Sequence, residues 1–193
     1  MSYTLLGSLT SPFVRRIRLL MESLPYELKE LNIYETDDGL ALNKINPVNQ
    51  IPVLLDGETK IWDSRQIFNY LNQKHQLHSM NWEDENTLTA IDGAMAAGVN
   101  LFLMKRSGMS ITEPYMFINR QKERMDSVLT YLSPYMKDKG LKEWNFISMS
   151  LYCFLDWASF RGIIDIGGRE ECHSFLAAHS DKKAVKETEI PRI

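Results

Sequence analysis

Three short stretches in the first third of the chain hold side chains suited to act together. In Ser8-Leu9-Thr10-Ser11-Pro12-Phe13, Ser11 precedes a proline at a predicted first helical position. Its hydroxyl lies beside unpaired backbone N–H groups and the positive end of a helix dipole, a setting that stabilises an anion, although serine is equally at home there as a plain helix cap. In Ile51-Pro52, proline opens an apolar run. Proline cannot donate a ladder hydrogen bond, so it marks either an ordinary strand edge or a cis bond, and a cis bond leaves the backbone of Ile51 free to pair with an extended peptide. In Asp63-Ser64, both residues precede another predicted helix. Helix-end donors and the Ser64 hydroxyl suit a ligand carboxylate there, and Asp63 suits a ligand ammonium; simple capping accounts for both residues as well.

The elements that position these stretches are legible from patterning. Tyr3 to Gly7 reads as a buried strand; Val14, Ile17, Leu20, Met21 and Leu24 recur at helical spacing until Pro25 stops the helix. Arg15, Arg18 and Glu22 fall on another face of this helix, and Arg15, Arg16 and Arg18 read as a solvated basic cluster. Tyr26 to Ile33 alternates as a half-buried strand, and Leu40 to Ile45 predicts one or two helical turns before Asn46-Pro47. Ile51 to Leu55 and Lys60 to Trp62 flank Asp56-Gly57, a hairpin turn signal. Asp63, with Gln66 as capping partner, starts a helix with Ile67, Phe68 and Leu71 on its apolar face, running to about His75. The order is β-α-β-α-β-β-α.

Beyond residue 80 strand signals largely disappear. Helical periodicity runs from Glu83 to Arg106, from about Thr112-Glu113-Pro114 through Leu132, from Phe146 to Arg161 and from Arg169 to Ala178. The expected organisation is an α/β domain over residues 1–75, a linker over 76–81 and an all-α helical bundle over 82–193. Four methionines, Met95, Met104, Met109 and Met116, read as core filler before pocket lining. The 193 residues are 44% hydrophobic and 24% charged, ordinary values for a globular chain, and a net charge of −3 argues against nucleic acid as a partner. No signal peptide and no apolar segment of membrane-spanning length is apparent, so a cytoplasmic protein is expected. Cys153 and Cys172 have neither dithiol nor zinc spacing, so no metal is expected, and the adjacent Cys172-His173 pair is given no function.

Together, in this order and spacing, the three stretches resemble the glutathione transferase superfamily. LLGSLTSPFVRRIRLL looks like its serine-type members, including the tau class and related bacterial proteins. Asn46-Pro47-Val48-Asn49-Gln50-Ile51-Pro52-Val53-Leu54 is similar to the family's asparagine-proline run, and Ile61 to Leu71 to its acidic-serine segment leading into a helix ending in tyrosine-leucine. Tyr152 to Trp157 followed by Phe160-Arg161 looks like the family's core helix. Gln50 stands where a basic residue is common, Asp63 for glutamate and Asn49 for glycine. The threonine-x-x-aspartate cap of the core helix reads Asn145-Phe146-Ile147-Ser148.

The resemblance implies a thioredoxin-like first domain that binds glutathione as co-substrate. It implies that Ser11 hydrogen-bonds the glutathione sulfur and favours thiolate, with Ser8 and Thr10 as rival hydroxyls. Ile51 would pair with the cysteinyl unit through its backbone on a cis Pro52, Asp63 and Ser64 would hold the γ-glutamyl end, Gln50 would lie near the glycyl carboxylate, and Phe13 completes the set. The implied activity is attack of the thiolate on a small electrophilic, partly apolar partner, in a detoxifying homodimer whose helical half lines the acceptor pocket. A protein that keeps the fold for binding or regulation without turnover is the second reading. Glutathione-dependent reduction or isomerisation is the third, and the absence of a cysteine near Ser11 argues against reduction through an enzyme-glutathione disulfide.

Overall fold

The computed structural model describes residues 2–191, which divide into two compact units: residues 2–79 with 183–191, and residues 80–182. In the first unit, β1 (Tyr3–Gly7) leads into α1 (Pro12–Leu20), then β2 (Tyr26–Glu30), α2 (Thr36–Asn43), β3 (Val53–Asp56), β4 (Thr59–Trp62) and α3 (Ser64–His75). The sheet order is β2-β1-β3-β4, with β1 and β2 parallel across the α1 crossover and the other two pairs antiparallel. This is the thioredoxin-like arrangement expected from the sequence.

Side-chain alternation divides the sheet into two buried faces. Leu6 and Val53 join Leu42 of α2 in one cluster, while Leu5 and Leu54, also fully buried, belong to the opposite face, where α1 and α3 pack together. Gly7 is required at the end of β1. A Cβ there would lie 2.5 Å from Val14 Cγ2, so only glycine lets the first turn of α1 sit this close to the strand. At the hairpin, Gly57 takes φ 60°, and the Asp56 carboxylate accepts from Tyr70 Oη at 2.6 Å and pairs with Lys74. Those two hydrogen bonds hold its pKa below the usual carboxylate value.

Some boundaries move for local reasons. β3 starts at Val53 because Pro52 has no N–H to give the ladder, and β2 ends at Glu30. α2 begins earlier than apolar spacing predicts, its first turn carrying Asp37 and Asp38, where carboxylates favour a helix N-terminus. Past α3, Asn72 Nδ2 donates to the His78 carbonyl and His78 N to Asn72 Oδ1, both at 2.8 Å, so much of the expected linker is bound to the helix it follows.

The second unit contains α4 (Trp82–Arg106), α5 (Met116–Lys137), α6 (Lys139–Lys142), α7 (Phe146–Phe160) and α8 (Glu170–Ser180). Asn81 and Asp84 form a reciprocal capping box on α4. Contrary to expectation, α4 is long and apolar enough to cross a membrane by length and composition. Its buried stripe, including Leu88, Ile91, Met95 and Leu101, belongs to a helix packed on α5 and α7. α7 is buried along almost its whole length. Its altered cap is complete: Asn145 Oδ1 accepts from Ile147 N and Ser148 N at 3.0 and 3.1 Å, and Ser148 Oγ donates to the Glu143 carbonyl at 2.6 Å. α5 starts only at Met116, after Pro114. Cys172 is fully buried beside Met136, and burial pushes its thiol pKa up to about 11, leaving little thiolate.

After the second unit the chain forms α9 (Lys183–Glu187), a helix that apolar spacing did not reveal. With the residues that follow, it belongs to the α/β unit, where the sequence had grouped it with the helical bundle.

Candidate functional site

The strand register brings the three stretches to one end of the sheet. Leu6 pairs with Val53, and Val53 with Trp62. The next residues outward on these antiparallel strands are therefore Gly7, Pro52 and Asp63. The 8–11 loop, the Ile51-Pro52 bond and the start of α3 emerge side by side.

In the first loop, Ser8 Oγ and Thr10 Oγ1 are 3.0 Å apart and share one hydrogen, and Ser8 Oγ also accepts from Thr10 N. Ser11 N donates to the Ser8 carbonyl at 3.1 Å, which sets Ser11 as the N-cap of α1 with extended backbone. Ser11 Oγ accepts from Val14 N at 3.3 Å. That bond uses a lone pair and leaves the hydroxyl proton to be donated, next to a helix N-terminus. Ser11 both caps α1 and presents a donor. The ring of Phe13, half-buried, lies under the guanidinium of Arg16 at 5.2 Å.

The Ile51-Pro52 peptide is cis. The loop before it is shaped by Asn46, a buried residue to which the sequence reading assigned no role. Asn46 Nδ2 donates to the Gln50 carbonyl at 2.8 Å, and its Oδ1 accepts from Val48 N at 2.9 Å. Asn49 takes φ 55° in this loop, a conformation asparagine tolerates better than most residues. The Gln50 side chain is exposed, Ile51 packs on the α2-side core, and the Ile51 backbone lies outside the ladder, which starts at Val53.

At the start of α3, Asp63 has φ 69°, and its Oδ1 accepts from Arg65 N at 2.8 Å and Gln66 N at 3.3 Å. Gln66 thus contributes a backbone N–H, not its side chain, to the cap. Two of the helix-end donors that suited a ligand carboxylate are taken by Asp63 itself; Oδ2 of this exposed carboxylate makes no hydrogen bond among the described residues. Ser64 is 1% exposed and accepts from Arg16 Nη2 at 2.7 Å. Its own proton remains to be donated.

Arg15 and Arg16 correct the expected solvated cluster, since both are buried. Arg16 is the residue that the sequence reading missed at this site. The available signals were its place three residues after Phe13, where side chains on a helix meet, and the serine that its guanidinium needs as a partner.

Residues 5–79 match the family described as glutathione S-transferase, N-terminal domain. Over 172 residues the chain is 29% identical to the uncharacterized GST-like protein YibF of Escherichia coli (strain K12), covering 82% of this chain and 83% of that one. Over 61 residues it is 38% identical to glutathione S-transferase Z1 of Arabidopsis thaliana, 31% of this chain and 28% of that one. Among solved structures, a glutathione S-transferase of Methylobacterium radiotolerans in complex with glutathione sulfonate superposes with a TM-score of 0.85 at 17% identity, covering 99% and 95% of the two chains. One from Methylobacillus flagellatus with glutathione bound gives 0.83 at 20% identity, covering 97% and 98%. By sequence, residues 5–79 match the glutathione S-transferase N-terminal domain, and the chain as a whole has the fold of these solved glutathione S-transferases.

Proposed function

We propose that this protein is a glutathione transferase of the serine type, in which the Ser11 hydroxyl donates to the glutathione sulfur and stabilises the thiolate for attack on a small electrophile. The observation that carries this reading is the state of Ser11. Of the three hydroxyls in the 8–11 loop, Ser8 and Thr10 hydrogen-bond each other, which leaves one proton free between them, whereas Ser11 is the N-cap of α1 and keeps its own proton to donate at the positive end of that helix. A free thiol titrates near ~8.5, and a donor at a helix terminus lowers that value. The cis Ile51-Pro52 bond supports pairing of the Ile51 backbone with the cysteinyl unit. The unengaged Asp63 Oδ2 and the Ser64 proton support the γ-glutamyl ammonium and carboxylate as their ligands, with Phe13 and Gln50 beside them. A cytoplasmic homodimer that detoxifies small electrophiles completes the reading; sedimentation as a monomer at micromolar concentration would refute its oligomeric part.

The test is a pH titration of bound glutathione's thiolate absorbance in wild type and Ser11→Ala. A thiol pKa lowered in wild type and restored in the variant is the expected result. Binding without any shift would replace catalysis with the binding or regulatory reading, and no binding would reject both.

A further inference from the structure

Three arginines lie on α1, and they hold different parts of the first unit. Arg16 holds Ser64. Arg15, 1% exposed, donates from Nη2 to the Val185 carbonyl at 3.3 Å and from Nε to Thr188 Oγ1 at 3.4 Å. Arg18 donates from Nη2 to the Glu187 carbonyl at 3.2 Å. The accepting carbonyls belong to α9, whose C-terminal end lacks intrahelical donors and carries the negative end of the helix dipole, so guanidinium groups are suited to it. Thr188 Oγ1 in turn donates to the Ala184 carbonyl at 2.8 Å, which orients a lone pair for Arg15. Ala184, Val185 and Ile190 are buried beneath this polar clasp.

We propose that residues 183–190 are a positioning element of the glutathione site, acting through Arg15 and Arg18 on α1. This rests on the site proposed above. α1 is a single uninterrupted helix of nine residues. Arg15 and Arg16 are adjacent and diverge by about 100° around the helix axis, so their separate attachments fix its rotation. The backbone N–H of Arg15 donates to the Ser11 carbonyl at 3.0 Å, in the same turn where Val14 N donates to Ser11 Oγ. Loss of the clasp therefore loosens the turn that presents Ser11 and the side chain that holds Ser64.

Two full-length variants test this. Thr188→Val keeps the side-chain shape without the hydroxyl, and Arg15→Lys keeps the charge without the fork that reaches both partners. At temperatures where each remains folded by circular dichroism, the expected result is a glutathione dissociation constant raised roughly threefold or more, with faster amide exchange at residues 13–16. Unchanged affinity and exchange alongside a lowered melting temperature would overturn the proposal, leaving the segment a purely structural clasp. Should wild type bind no glutathione, the transferase reading fails on its own. The exchange data then decide separately: faster exchange upholds positioning of α1 by this segment, and unchanged exchange overturns it.

Discussion

Arg16 and Ser64 are 48 residues apart in sequence, yet a 2.7 Å hydrogen bond between their buried side chains joins α1 to the first residue of α3. It couples the two helix N-termini proposed to bind the cysteinyl sulfur and the γ-glutamyl end of one ligand. A neutral acceptor bonded to a buried charged donor contributes about 1.5–3 kcal/mol. Arg16→Met and Ser64→Ala should each lower stability in urea unfolding. Their double-mutant cycle should return a coupling of roughly 1–2 kcal/mol. Additive effects would show that the bond is energetically idle.

The contrast between these two residues shows what the sequence could convey. Ser11, Asp63 and Ser64 were legible because capping chemistry is local: hydroxyls and carboxylates before apolar helical runs identify helix starts whatever the tertiary structure. The arginines of α1 were misread for the opposite reason. Periodicity sorts residues into apolar and polar faces, but α1 is covered nearly all round, and its polar side is buried against α3 and α9 by guanidinium groups with dedicated acceptors. Nothing near Arg15 predicts that its partners are residues 185 and 188. α9 was missed because five residues give too little periodicity to detect.

Asn49 offers a test of the loop that carries Ile51. Its φ of 55° costs a β-branched residue about 1–2 kcal/mol and costs glycine nothing sterically. Asn49→Val should therefore lose about that much stability and weaken glutathione binding, while Asn49→Gly stays close to wild type in both. Calorimetric titration beside urea unfolding measures the two effects. Equal behaviour of the variants would mean that the loop relaxes without cost.

The close approach of β1 and α1 makes a second steric prediction. Gly7→Ala places a methyl group 2.5 Å from Val14 Cγ2 and 2.8 Å from Cγ1, and overpacking of this kind costs about 1–3 kcal/mol. Val14→Ala, at a fully buried position, is destabilising by itself through lost burial. Combined, the two should cost less than their sum by at least about 0.5 kcal/mol, because truncating Val14 makes room for the new methyl. A double variant as unstable as the sum would mean that Gly7 is required for a reason other than this contact.

His179, in the helical unit, makes stability depend on pH. Its Nε2 lies 2.7 Å from the Gly140 carbonyl, which can only accept, so Nε2 carries the proton. Its Nδ1 is buried without a partner among the described residues, and protonation there would create an unsatisfied buried donor. Burial, chiefly, pushes the pKa below the ordinary value of 6.5; the Gly140 hydrogen bond opposes this shift and the Lys182 charge adds to it. The folded state thus holds the ring neutral while the unfolded chain takes up a proton from about pH 6.5 downward. The contribution is fully present above that pH and is lost as pH falls toward the depressed folded value. Urea unfolding at a series of pH values should show wild type losing stability between pH ~7 and ~5. His179→Gln, which can still donate to Gly140 but does not titrate, should be less stable near neutrality and show a shallower slope. An unchanged slope would assign the acid sensitivity to other groups, beginning with His78, whose pKa burial also pushes below 6.5; Asp56, with its lowered pKa, acts in the same direction only in the carboxylate range.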